Sequence, residues 1–331
     1  MNRGRWGWGA VAAAAGLAWV AASWFATGLD RPRPAAAGGI TIPRGATAAQ
    51  VARFLTDAGV FAHPALARLA LSVTGLPGGP KAGTYRFGAG ASARAVLDAV
   101  GRGAVEQVRV VLPEGLTARE MARVLGAAGV TDPVRFEALC YDEGAPGRWS
   151  LPGPTLEGYL FPDTYRFARD LAPEEVVSAL VRRFREVTAP LMPEARARGL
   201  DLRSWVTLAS MIEKETGVPE ERPLVAAVFW NRLRRGMRLE SDPTVIYGIP
   251  DFDGNLTREH LRTDHPYNTY VRKGLPAGPV ANPGRESLEA AVRPAPVSYL
   301  YFVSRNDGTH VFSDTYEEHR RWVGRYQKRR R

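Results

Sequence analysis

At 331 residues, 45% of them hydrophobic, the chain is longer than one typical domain and apolar enough for packed cores, which excludes a disordered or fibrous protein. One cysteine, Cys140, excludes an intrachain disulfide and argues against a cysteine-based metal site. The net charge of +10 suits an anionic partner, but the basic residues are scattered apart from the tail Lys328–Arg331, and no aromatic-interleaved basic motif of a nucleic-acid module appears.

Trp6–Leu29 is 24 residues without a charge, long enough to cross a bilayer as a helix. Trp6 and Trp8 at one end, and Trp24 and Phe25 at the other, suit the two interfaces. This predicts a single-pass anchor in the plasma (inner) membrane, with residues 1–5 inside and the bulk of the chain on the outer side. The alternative is a cleaved signal peptide with Ala35–Ala37 as the small-residue site. Residues 30–39, rich in Arg, Pro, Ala and Gly, read as a linker.

An internal repeat follows. Residues 40–60 match residues 110–130 at a constant offset of 70. Each copy reads as a short strand, a Pro-x-Gly turn, a Thr N-cap (Thr47, Thr117) and an amphipathic helix ended by Gly59 or Gly129. A second echo, Thr-Tyr-Arg-Phe, occurs at Thr84–Phe87 and Thr164–Phe167 and reads as aromatic strands. Between the copies, Ser92–Val100 reads as a helix capped by Ser92. Strand–helix units of this kind resemble the LysM type, which holds glycan chains in cell walls. A glycan-binding role and a spacer role both remain open.

From Leu151 the character changes. Leu156–Tyr165 packs aromatics with two carboxylates, Glu157 and Asp163, as a sugar cleft or a buried hairpin would. Helices are predicted over Pro173–Val187, Asp201–Thr216 and Glu220–Arg235, the last with Asn231 and Arg232 on its polar side. In the second of these, Trp205, Leu208, Ala209 and Ile212 form an apolar stripe, Asp201 is a suitable N-cap, and Gly217 and Pro219 stop the helix. Two carboxylates, Glu213 and Glu215, therefore lie on the last turn of a packed helix. Partial burial and the helix dipole both raise a carboxyl's pKa there, and a glutamate protonated near neutrality can act as a general acid. Residues two apart differ by about 200° around a helix, so the two face opposite flanks. The wheel does not choose between them, and both could be solvated helix-end charges. The stretches around Asp242, Thr244, Tyr247, Tyr267, Asn268 and Tyr270 place hydrogen-bonding groups in Gly/Pro-punctuated loops, where sites are often built. His260 and His265 are more simply surface histidines than a metal pair. Tyr299–Ser304 and Thr309–Phe312 read as a hairpin around Asn306–Gly308, and a charged helix closes the chain.

The runs Leu208–Thr216, Val228–Leu233, Gly236–Leu239, Ser241–Gly248, Tyr267–Tyr270, Gly274–Pro276 and Tyr299–Phe302, in this order, resemble the YceG-like endolytic murein transglycosylases. Met211 and Trp230 depart from the family's smaller aliphatic residues, at core-type positions. The resemblance implies that Glu215 is the catalytic residue, and Glu215-Thr216 is similar to the Glu-Ser pair of other lytic transglycosylases. It implies cleavage of the N-acetylmuramic acid–N-acetylglucosamine β-1,4 bond inside nascent glycan strands, giving 1,6-anhydro ends and terminating elongation, with no cofactor or metal. Peptidoglycan strands are the implied substrate, peptidoglycan synthases the implied partners, and Glu157, Asp163, Asn231, Asp242, Thr244, Tyr247, Tyr267, Asn268 and Tyr270 the expected sugar-binding set. A muramidase, with Asp242 or Asp163 as second carboxylate, and a non-catalytic wall-binding scaffold are the alternatives. The expected organisation is α+β: a cytoplasmic tail (1–5), a transmembrane helix (6–29), a linker (30–39), a LysM-like region (40–150) and an α+β catalytic domain (151–331).

Overall fold

The computed structural model describes residues 19, 23, 25–32, 38–75, 79–88 and 90–327. The chain divides into two units. One runs up to Val108 and includes Ala168–Asp170, and the other comprises Arg109–Phe167 and Leu171–Arg331. The division falls at 108/109 and not near 150, so the second copy of the repeat belongs to the larger unit.

In the first unit, β1 (Gly38–Ile42) and β2 (Gly83–Phe87) pair antiparallel, with Ile40 opposite Tyr85. Helices α1 (Ala48–Asp57), α2 (Pro64–Thr74) and α3 (Ala93–Arg102) accompany them. Their apolar stripes meet in one core that includes Val51, Leu55, Tyr85, Val96, Leu97 and Val100. Thr47 forms a full capping box with Gln50, and Ser92 caps α3 through the Ala95 N–H.

The expected membrane anchor is corrected here. Most of Trp6–Leu29 lies outside the described residues, and among those described no helix is long and apolar enough to cross a membrane. At the end of the stretch, Leu29 is buried in the core of this unit, with Phe25 packed against that core. Asp30 follows at once and pairs with Arg94 at 2.6 Å. These apolar side chains are thus used in internal packing, and neither a transmembrane helix nor a single-pass inner-membrane placement is supported. The last two linker residues, Gly38 and Gly39, are already strand.

The second copy of the repeat supplies β3 (Gln107–Val111) and α4 (Ala118–Ala127), where Thr117 and Glu120 repeat the capping box. The likeness extends one helix further than the sequence reading took it. α5 (Pro133–Tyr141), capped by Asp132, mirrors α2, capped by His63, each with Pro in its first turn. β3 pairs with β4 (Thr164–Ala168), as β1 does with β2. After the single-turn α6 (Ala145–Arg148) and β4 come α7 (Pro173–Thr188), α8 (Met192–Ala197), α9 (Leu202–Glu215), a 3-10 turn (Pro219–Glu221), α10 (Arg222–Arg234), α11 (Asp242–Tyr247) and α12 (Arg285–Val292). The β5–β6 hairpin (Tyr301–Ser304, His310–Ser313) and α13 (Tyr316–Tyr326) end the chain.

α9 is the axis of this unit. Every residue from Trp205 to Ile212 is buried. The Trp205 indole N–H donates to the Leu288 carbonyl of α12 at 2.9 Å, so the ring's one polar atom is satisfied inside the core. α10 buries Val225–Phe229 and sets Phe229 edge-on to Phe302 of the hairpin, 6.3 Å between centroids.

Candidate active site

α9 starts where the sequence places it, with Asp201 accepting the Ser204 N–H at 2.7 Å. It ends at Glu215 because Thr216 turns extended (φ −144°). The buried Thr216 hydroxyl accepts the Val218 N–H and donates to Glu221, whose other partner is His310 of the hairpin. The helix end is therefore bound to two later elements.

The last turn sends its three charged residues to different places. Glu213 accepts the Gly284 N–H at 2.9 Å and lies 3.5 Å from the buried Arg222 guanidinium. Lys214 donates to the Gly115 carbonyl at 3.2 Å. Glu215 points the other way, to Ser241, whose hydroxyl donates to Oε1. The Glu215 residue as a whole is partly exposed, while its carboxyl is largely shielded from water.

That shielding pushes the Glu215 carboxyl up to about 7, with the negative charge of Asp242 adding to it. The Ser241 bond and the Arg232 charge pull it back. Burial is the main cause. Arg232 is itself buried and fixed, donating to the carbonyls of Leu239 (3.0 Å) and Leu300 (2.7 Å) and pairing with Glu240. A carboxyl poised near neutrality, on a residue that is itself partly exposed, can both give and take a proton.

α11 delivers Ser241 and Asp242 to this point. The Ser241 N–H donates to Thr269 at 3.0 Å, and Thr244 bonds both the Ser241 carbonyl and Thr269. Asp242 is exposed beside Glu215 and accepts the Tyr270 hydroxyl at 2.6 Å. Tyr247 and Tyr267 rings lie 4.8 Å apart. Of the residues expected to bind sugar, Asp242, Tyr247, Tyr267 and Tyr270 thus lie on α11 or on the loop that supports it.

The others are placed differently. Asn231 spends its amide on the carbonyls of Val297 and Tyr299, and Asn268 on those of His260, Leu261 and Thr263. Both are buried, as is Thr244. Asp163 caps its own strand and pairs with Arg183 at 2.8 Å. Glu157 is fully buried and accepts from the Ala118 N–H, the Asn282 amide, and the hydroxyls of Tyr141 and Tyr247. These side chains hold loops and helix ends, and their polar atoms are occupied by the protein itself. His260 and His265 each accept a backbone N–H through Nδ1. Among the described residues no cluster of His, Cys, Asp or Glu is arranged to hold a metal.

Three residues of the site's framework were not in the expected set. Ser241 stands in the motif but carries no local sign of its role. Thr269 is likewise silent. Asn282 binds the N–H groups of Gly158 and Leu160 through its carbonyl oxygen and Glu157 through its amide. Its place in a Pro/Gly-rich loop was the only available hint.

Gly158 shows how tightly this framework closes. Its φ is +88°, and an added Cβ would lie 2.6 Å from Pro279 and 2.8 Å from Val206. Gly158→Ala is expected to destabilise by roughly 2–4 kcal/mol, from left-handed strain plus overpacking. A denaturant titration with an unchanged midpoint would contradict this.

The sequence pattern of the YceG-like family matches residues 40–325. An endolytic murein transglycosylase of Bacillus subtilis (strain 168) is 37% identical over 172 residues, covering 52% of this chain and 48% of that protein. One of Streptococcus pneumoniae (serotype 2, strain D39) is 26% identical over 329 residues, covering 87% of this chain and 58% of that protein. The chain thus spans about half the length of these curated relatives. A crystal structure of a YceG-like protein from Listeria monocytogenes superposes with a TM-score of 0.56 at 29% identity, covering 86% of this chain and 98% of that one. With a family match running through almost the whole described chain, around a helix that ends in Glu215, the protein belongs to the YceG-like family.

Proposed function

We propose that this chain is a peptidoglycan lytic transglycosylase that cuts the β-1,4 bond between N-acetylmuramic acid and N-acetylglucosamine within a glycan strand. The observation that carries the reading is the shielded carboxyl of Glu215, held by Ser241 and pushed up by burial to about 7. The names of its curated relatives support the substrate class.

The chemistry needs one group used twice. Ser241 engages Oε1, and the proton is carried on Oε2. Glu215 gives this proton to the leaving O4 as the C1–O4 bond breaks. The resulting carboxylate takes the proton of the muramoyl C6 hydroxyl, whose oxygen bonds to C1 and closes the 1,6-anhydro ring. Atoms balance without water, and the intramolecular hydroxyl supplies the advantage of a pre-positioned nucleophile. Product mass tests this directly. A transglycosylase yields fragments summing to the parent strand, whereas a hydrolase adds one water per cut. Asp242 is the nearby carboxylate that a hydrolase would need, and added water in the products would move the assignment there.

The pKa sets two expectations. The first step requires protonated Glu215, so kcat/KM should fall about tenfold per pH unit above about 7. A flat profile between pH 6 and 9 would contradict it. For stability, the folded value near 7 lies above the ordinary 4.5. The protonated group's contribution is complete below about 4.5 and is lost as pH rises through 7. Glu215→Gln should therefore match the wild type at pH 4 and exceed it at pH 8.5 by about 3 kcal/mol. Equal stabilities at both pH values would argue against a desolvated carboxyl.

A further inference from the structure

Glu157 is a carboxyl with no cation paired to it among the described residues, sunk completely in the larger unit. Burying such a group costs stability unless donors surround it, and here several do. Oε1 takes the Asn282 amide at 2.8 Å and the Ala118 N–H at 3.0 Å. Oε2 takes the Tyr141 hydroxyl at 2.9 Å and the Tyr247 hydroxyl at 3.3 Å. Capping α4 alone does not require this arrangement, because Thr117 and Glu120 already form a capping box there.

Tyr247 gives the cluster its reach. It is the last residue of α11, a helix of six residues. So short a helix has little stability of its own, and its position is set by what holds it: the Thr244–Thr269 bond within and the contacts at its two ends. At one end Ser241 and Asp242 meet Glu215. At the other, about 9 Å along the axis, the Tyr247 hydroxyl rests on Glu157 and its ring on Tyr267. We propose that Glu157 is a positioning residue for the reaction: by fixing the Tyr247 end of α11 it fixes where Ser241 and Asp242 stand against Glu215. Its effect on catalysis rests on the role of Glu215 proposed above; its effect on the geometry does not.

Ser241 and Asp242 act on Glu215 in opposite directions, but not over the same range. A hydrogen bond fails with a small change of distance or angle, whereas the influence of a charge declines slowly. Loosening the far end of α11 therefore weakens the Ser241 bond first and raises the Glu215 midpoint.

The test uses the full chain labelled with ¹³C-carboxyl glutamate, the Glu215 resonance being identified by its loss in Glu215→Gln. Tyr247→Phe deletes one hydroxyl and keeps the ring. Should that variant fold poorly, Glu157→Gln, which keeps the shape of the buried group, is read the same way. Tyr165→Phe is the control, deleting another tyrosine hydroxyl bond (2.7 Å to the Phe161 carbonyl) away from α11. Tyr247→Phe and Glu157→Gln are expected to raise the Glu215 midpoint by about half a pH unit and to lower kcat about tenfold at unchanged KM. Tyr165→Phe should leave both unmoved. A midpoint unmoved or lowered in the two variants, or raised equally in the control, overturns the proposal. If the wild-type chain releases no anhydro ends, the transglycosylase reading falls, and the titration still decides the positioning role.

Discussion

Glu215→Gln is expected to lower the release of anhydro-ended fragments by about 10²–10⁴-fold, the range a general acid–base group supplies. Gln keeps the shape and can still accept from Ser241, so the fold and the Ser241 contact should persist. What it lacks is a proton to give at one step and a place to take one at the next. Glu213→Gln, two residues away, is the informative comparison. Glu213 is committed to Arg222 and the Gly284 N–H. Its loss should appear in the unfolding midpoint, with product release kept within about tenfold of the wild type. Equal loss of product in both variants would remove the division of roles. So would full activity in Glu215→Gln.

Arg222→Met is expected to cost about 3 kcal/mol of stability at pH 7. The Arg222 side chain is 8% exposed and faces Glu286 at 2.6 Å, Glu213 at 3.5 Å and Glu114 at 3.7 Å. Without it, three carboxylates confront one another. The lower end of the usual range for breaking a buried pair applies, because Glu114 and Glu286 are 44% and 59% exposed and can turn to water. The loss should depend on pH in a definite sense. Burial, then the charge of Glu213, already raises the Glu114 carboxyl, and Arg222 opposes this. Removing the arginine raises it further. A carboxyl raised in the folded state contributes fully when protonated and loses that contribution as pH rises through its folded value. The gap between Arg222→Met and the wild type should therefore be wide at pH 7 and narrow toward pH 4. Denaturant midpoints separated equally at the two pH values would show that packing, not charge, is responsible.

The sequence by itself determined the features that depend on near neighbours. The repeat was legible because Thr47 and Thr117 cap helices through the N–H three residues on, a contact requiring only local chain. The hairpin was legible because Asn306 and Gly308 both take the left-handed conformation such a turn needs. The placement of α9 followed from one cap and one stripe. The family resemblance, carried by ordered runs of residues, likewise needed no coordinates.

Only the tertiary structure decided the destinations of polar side chains. The helical wheel sets Glu213 and Glu215 on opposite flanks without choosing between them, and what separates their roles is Arg222 and Gly284 on one side and Ser241 on the other, side chains and backbone that only folding brings to the helix end. Glu157 reads as a sugar ligand until Ala118, Tyr141, Tyr247 and Asn282 converge on it. The apolar run ending at Leu29 reads as a membrane span until its last residue is found in an internal core. Local patterns fix how a backbone turns, whereas the fate of a charge or an apolar surface depends on whichever distant groups the fold packs against it.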